Sequence, residues 1–148
     1  MTFSKVNPAE KRSMLAEIYG EAIFLVIPFF ALIFITIIKN STSLTSIISS
    51  LLLTTDWSLM SAVVFGQCAY KMSRVIPICG INVDGRRFTL YLAIRILLIF
   101  FSLFMYAAMV FKPHIYLGCF QIILFSISVF LFFKDSLASN ILFYRYKK

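Results

Sequence analysis

Read along its length, the chain alternates long apolar runs with short polar interruptions that are mostly basic. Ala22 to Ile38 is uncharged over 17 residues, near the lower limit for crossing a bilayer, and Tyr19 and Gly20 extend it. The pattern predicts a first span over about 20–38. Asn7-Pro8-Ala9-Glu10 starts the helix that leads into it, with Asn at the cap, Pro in the first turn and Glu three residues on. Pro28 predicts a kink, because it frees the carbonyl of Phe24. Further spans are predicted over 57–74, 88–111 and 115–133. Between them, 75–87 reads as a loop punctuated by Pro77, Gly80 and Asp84-Gly85, Lys112-Pro113-His114 as a tight turn, and 136–148 as a tail. The expected fold is an all-α integral membrane protein, a bundle of four transmembrane helices in a single domain.

Residues 44–56 admit two readings. One continuous helix would carry Asp56 to mid-bilayer, at a cost of roughly 2.5–3.5 kcal/mol. Alternatively, 44–53 is an interfacial or re-entrant segment, Asp56 caps a new helix, and Trp57 lies in the interfacial aromatic belt. The second reading is the expectation here, because it gives Asp56 a favourable place.

Composition strengthens the membrane reading: 61% of residues are hydrophobic, 17 are Phe, only 14% are charged, and mean hydropathy is +0.93. Charge adds sidedness. Eleven of the 14 lysines and arginines fall on one side of the predicted spans, and two, Lys39 and Lys112, fall on the other. By the positive-inside rule both termini are expected in the cytoplasm. Such a face holds anionic lipid. The basic residues lie between apolar runs and form no continuous groove, so direct nucleic-acid binding is not expected. Three cysteines with no C-x-x-C spacing predict neither a disulfide framework nor a thiol redox centre. The N-terminal apolar run is too long for a signal peptide and no small-x-small site follows it, so an uncleaved start is expected. Asn40-Ser41-Thr42 matches a glycosylation sequon, relevant only in a eukaryotic secretory pathway.

Arg95 is the fourteenth basic residue, about two turns inside the third span, roughly 10 Å deep. It shares a helix face with Tyr91, Ser102 and Tyr106, which should turn toward protein. Glu21 and Gln67 lie at a similar predicted depth, so the expected intramembrane polar cluster is Arg95, Glu21 and Gln67, with Arg95 paired to Glu21. Ser58, Ala62 and Gly66 form a small-xxx-small ridge suited to close helix packing, within the bundle or between copies. Gly118, Gln121, Phe125 and Ser128 form a weaker one, and Gln121 is expected to hydrogen-bond across helices. His114 is the single histidine, so neither a zinc site nor a Ser-His-Asp triad is expected, and no cofactor is implied. The chain reads as a non-enzyme.

The inner face offers Arg74, Arg86, Arg87, Arg145, Lys147 and Lys148 for docking lipid or an acidic cytoplasmic protein. The stretch TTDWSLMSAVVFGQCAYK, with Asp56-Trp57-Ser58 and Phe65-Gly66-Gln67 in a short chain of four predicted spans, resembles the membrane subunit of the Kiwa antiphage defence system. That resemblance implies an oligomeric inner-membrane sensor of infection that binds a soluble effector acting on phage DNA, and it carries over no catalytic residue. The expected function is therefore a homo-oligomeric sensor or scaffold that recruits a soluble cytoplasmic effector. The alternative is an ion-conducting pore, transporter or membrane-depolarising effector.

Overall fold

The computed structural model describes residues 8–39, 43–79 and 84–146. Its elements are five helices: α1 (Pro8–Lys39), α2 (Leu44–Leu53), α3 (Asp56–Cys79), α4 (Gly85–Phe111) and α5 (Ile115–Tyr146). Three of them contain stretches long and apolar enough to cross a membrane: Arg12–Lys39, Gly85–Phe111 and Ile115–Phe143. α3 carries Asp56, Lys71 and Arg74, and it supplies a fourth span only together with α2, which it meets at 49°.

The surface is inverted relative to that of a soluble protein. Phe24, Phe30, Phe34, Leu97, Phe100, Phe104, Phe120 and Phe130 point outward, whereas Ser58, Ser61, Ser102, Gln121 and Ser128 are completely buried. Lipid offers apolar side chains as good a surrounding as a protein core does, so it is small and polar residues that gather between helices. Ser61, Ser102 and Ser128 donate to carbonyls of their own helices, those of Trp57, Leu98 and Phe125. Each hydroxyl is thereby satisfied without drawing water into the bundle.

α3 is the centre, packed along α5 and α4. α3 and α5 run in the same direction, for Trp57 meets Phe125 near one end and Lys71 meets Ser136 near the other. α1 leans on the rest through fewer contacts, chiefly Phe29 against Trp57 and Phe125 and Glu21 against Lys71. Its long outer face is left to its surroundings.

The chain breaks between α2 and α3 at Thr54 and Thr55, and Asp56 is the first residue of α3 rather than the expected cap before it. Thr54 donates through Oγ1 to Asp56 Oδ2 at 2.8 Å, and Asp56 occupies the first turn of α3, where the helix dipole favours an anion. Trp57 is buried against its own bundle, with its ring centroid 4.6 Å from that of Phe29 and 5.5 Å from that of Phe125. The cause is the break itself. α2 ends with carbonyls that have no partner within the helix, and the Trp57 indole donates to that of Leu51 at 2.7 Å.

Two predicted boundaries move outward. α3 continues through Pro77 to Cys79, so the expected loop 75–87 is shorter, and Asp84 caps α4 by accepting from the Arg86 amide at 3.1 Å. The expected tail 136–148 is mostly helix, because α5 runs on to Tyr146. Asp135, Ser136 and Ser139 within it are buried, bonded to α3 and α4, so the helix is held against the bundle beyond the predicted end of the span. Asn7, Asn40, Ser41, Thr42, Lys147 and Lys148 lie outside the described residues.

Candidate functional site

The site is a belt of charge at the level where α5 passes from Asp135 to Ser139. Asp135 is its focus. Arg95 of α4 reaches Asp135 Oδ2 through Nη2 at 2.7 Å and Nε at 3.0 Å, and Tyr91 donates its hydroxyl to the same oxygen at 2.7 Å. Arg95 Nε also reaches the Tyr91 hydroxyl at 3.2 Å, with the guanidinium over the phenol ring. The fully buried Cys68 of α3 lies beside this carboxylate. Both charged side chains are only 8% exposed. A pair so enclosed is stable only when each partner keeps the other.

A second pair lies one residue along. Lys71 of α3 binds Glu21 of α1, donates to Ser136 Oγ at 2.6 Å, and rests over the Phe132 ring. Ser139 donates back to the Lys71 carbonyl at 3.1 Å. Adjacent residues of α5 thus face opposite partners: Asp135 holds α4, while Ser136, through Lys71, holds α3 and α1. Four helices are fixed in register at one height.

This arrangement corrects the expected cluster. Arg95 is paired to Asp135, and Glu21 is paired to Lys71. Gln67 is exposed, on the outward face of α3 with Val63 and Tyr70, each about one turn away. The sequence conceals Asp135 as a partner because Lys134-Asp135 looks like the polar end of a span. Its signal was spacing: Gln121, Ser128 and Asp135 recur every seven residues.

Of the expected packing ridge, Ser58 and Ala62 are buried inside the chain's own bundle. Gly66 takes no part in a close approach within the chain, since a Cβ built there meets nothing within 4 Å. The tight contact is at Gly118, against the backbone of Leu52. The expected bond of Gln121 across helices is not formed: its amide is fully buried, and neither its amide group nor the Ser58 hydroxyl has a hydrogen-bond partner among the described residues. Replacing Gln121 by Met, of similar length but without the amide, is therefore expected to raise stability by about 1 kcal/mol in a denaturant titration, since a buried polar group without a partner costs about 1–3 kcal/mol. A loss of that size would show that the amide is bonded after all.

Of the basic residues expected to dock a partner, Arg74 and Arg86 are exposed and make no ion pair with another described side chain, while Arg87 pairs with Asp84 at 3.2 Å in the open. Arg145 falls in the last turn of α5. Among the described residues no three His, Cys, Asp or Glu side chains converge as metal ligands. No protein-family model matches the chain, and no curated protein or solved structure matches it.

Proposed function

We propose that this chain is a non-enzymatic scaffold of a bacterial inner membrane, which assembles with copies of itself and recruits a soluble effector of acidic character to its cytoplasmic face. The observation that carries this reading is how the charges divide. Arg95 and Lys71 are neutralised by carboxylates on neighbouring helices and serve the bundle. Arg86, at the same end, keeps its charge for solution. Arg145, Lys147 and Lys148 add to that end by sequence. Cations exposed on rigid helix ends steer and orient an acidic partner more than they stabilise the fold. α1, lightly held and aromatic on its outer face, is the natural element for contact between copies. An antiphage role follows the resemblance to the Kiwa membrane subunit.

The test is co-purification in mild detergent. Reversing charge at Arg86→Glu together with Arg87→Glu is expected to cut recovery of the soluble partner about tenfold, equivalent to roughly 1.4 kcal/mol, and to leave the assembly's elution volume unchanged. Undiminished recovery would overturn the docking role.

A pore is the second reading, favoured by the buried polar series Gln121, Ser128 and Asp135 along α5, with Ser61 and Ser102 opposite. It requires the Arg95–Asp135 closure to open. Proteoliposomes of the unaltered chain that leak ions, and leak more with Arg95→Leu, would favour it over the scaffold.

A further inference from the structure

Three apolar runs end at one height. The run of α1 begins after Glu21, that of α3 stops before Lys71, and that of α5 stops at Lys134. In a membrane this is the plane of the lipid headgroups. There a pocket of about 50 Å³ opens among α1, α3 and α5. A bound water needs about 10–15 Å³ of such space, so the pocket admits a group of roughly four heavy atoms, with the rest of a ligand at its open side.

The lining decides what that group is. Its charged residues are Glu17, Glu21, Lys71 and Arg74, two of each sign. Glu21 and Lys71 neutralise each other. Glu17 and Arg74 line the same pocket, carry opposite charge and form no ion pair with each other. A ligand that satisfies both is a zwitterion. A carboxylate takes an ammonium, and a guanidinium takes a phosphate oxygen pair. Val75 and Phe143 supply apolar wall beside the charges.

We propose that this pocket binds the headgroup of a phosphatidylethanolamine lipid, with the ammonium at Glu17 and the phosphate at Arg74. The primary ammonium matters, because three N–H donors suit a carboxylate and a trimethylammonium has none. Phosphatidylglycerol leaves Glu17 unmatched and brings a net negative charge beside two carboxylates. The site is thus opposite in preference to the general attraction of a basic face for anionic lipid. It rests on the membrane-spanning architecture and holds independently of the docking role.

The experiment reconstitutes the full chain in bilayers of equal phosphatidylethanolamine, phosphatidylcholine and phosphatidylglycerol, extracts it gently, and counts co-isolated lipids by mass spectrometry. Phosphatidylethanolamine is expected to be enriched about fivefold over phosphatidylglycerol, the worth of one well-placed charge. Glu17→Gln is expected to abolish that preference. Arg74→Gln is expected to lower retention of phosphatidylethanolamine about fivefold. Lys112→Gln, at the far end of α4, is expected to change neither. Glu17 and Arg74 are both exposed, and unaltered Trp57 fluorescence shows that each variant is folded. Retention of phosphatidylglycerol at or above phosphatidylethanolamine would overturn the proposal, as would a preference that survives Glu17→Gln. Displacement of the lipid by millimolar O-phosphoethanolamine would overturn the lipid as occupant in favour of a soluble zwitterion.

Discussion

Arg95→Leu is expected to destabilise the bundle by about 3–5 kcal/mol, Asp135→Leu by somewhat less, and the two together by far less than their sum. The reason is what each change leaves behind. Without Arg95, the Asp135 carboxylate stays enclosed by α3, α4 and α5, with the Tyr91 hydroxyl its strongest remaining donor. An aspartate is too short to carry its charge out of the bundle. Without Asp135, Arg95 is left unpaired, but its long side chain can extend along α4 toward the headgroups and recover part of the cost. Removing both leaves only apolar contact, and replacement of buried ion pairs by hydrocarbon is often near neutral. Hydrogen bonds between helices in membranes average only about 0.6 kcal/mol, so a loss of several kcal/mol would identify the stranded charge, not the lost bond, as the dominant effect. Trp57, the one tryptophan and buried between two phenylalanines, reports unfolding by its fluorescence. Additive losses in the Arg95–Asp135 cycle would refute the pairing. Glu21→Ala, by contrast, is expected to add to Arg95→Leu within about 0.5 kcal/mol, because Glu21 belongs to the Lys71 pair.

How the sequence could yield the face of Arg95 but not its partner is a matter of range. Periodicity within one helix is a local property, and spacings of four and seven put Tyr91, Arg95, Ser102 and Tyr106 on the inward side of α4, where Arg95 and Ser102 are buried. The same locality separates α2 from α3, because Asp56 needs a helix start at that point. Choice of partner depends instead on which helices are neighbours and how far each is shifted along its axis. Depth estimated from the ends of apolar runs placed Glu21 beside Arg95. It failed because α5 stays helical and buried past Lys134, which brings Asp135 inside.

Three heptads run along the buried seams of the bundle. Ser61, Cys68 and Val75 on α3, Arg95, Ser102 and Met109 on α4, and Gln121, Ser128 and Asp135 on α5 are all buried. A seven-residue repeat keeps one seam turned toward neighbouring helices of a left-handed bundle. Hydrophobic periodicity, the usual guide, is muted here because lipid-facing positions are as apolar as the core. The informative residues are the small and polar ones, and they carry the repeat.

Close packing leaves one more position where a single atom decides the outcome. A Cβ at Gly118 would come within 2.9 Å of the Leu52 carbonyl carbon and closer still to its oxygen. Both are backbone atoms, so no side chain can turn aside. Gly118→Ala must therefore lift the end of α2 from α5, and with it the Leu51 carbonyl that the Trp57 indole holds. α2 has no buried residue of its own to keep it in place. The expected cost is about 1–3 kcal/mol, as for other overpacked sites, with Trp57 emission changed as its hydrogen bond is lost. Gly66→Ala is the matched comparison. It also replaces a helical glycine in this bundle, but its new methyl meets open space, so only the gain in helix propensity remains, up to about 1 kcal/mol in favour of folding. The two substitutions are thus expected to move the unfolding midpoint in opposite directions. Equal effects would mean that α2 does not close on α5 at Gly118, and that the helix break is held only by the Trp57 indole and the Thr54–Asp56 bond.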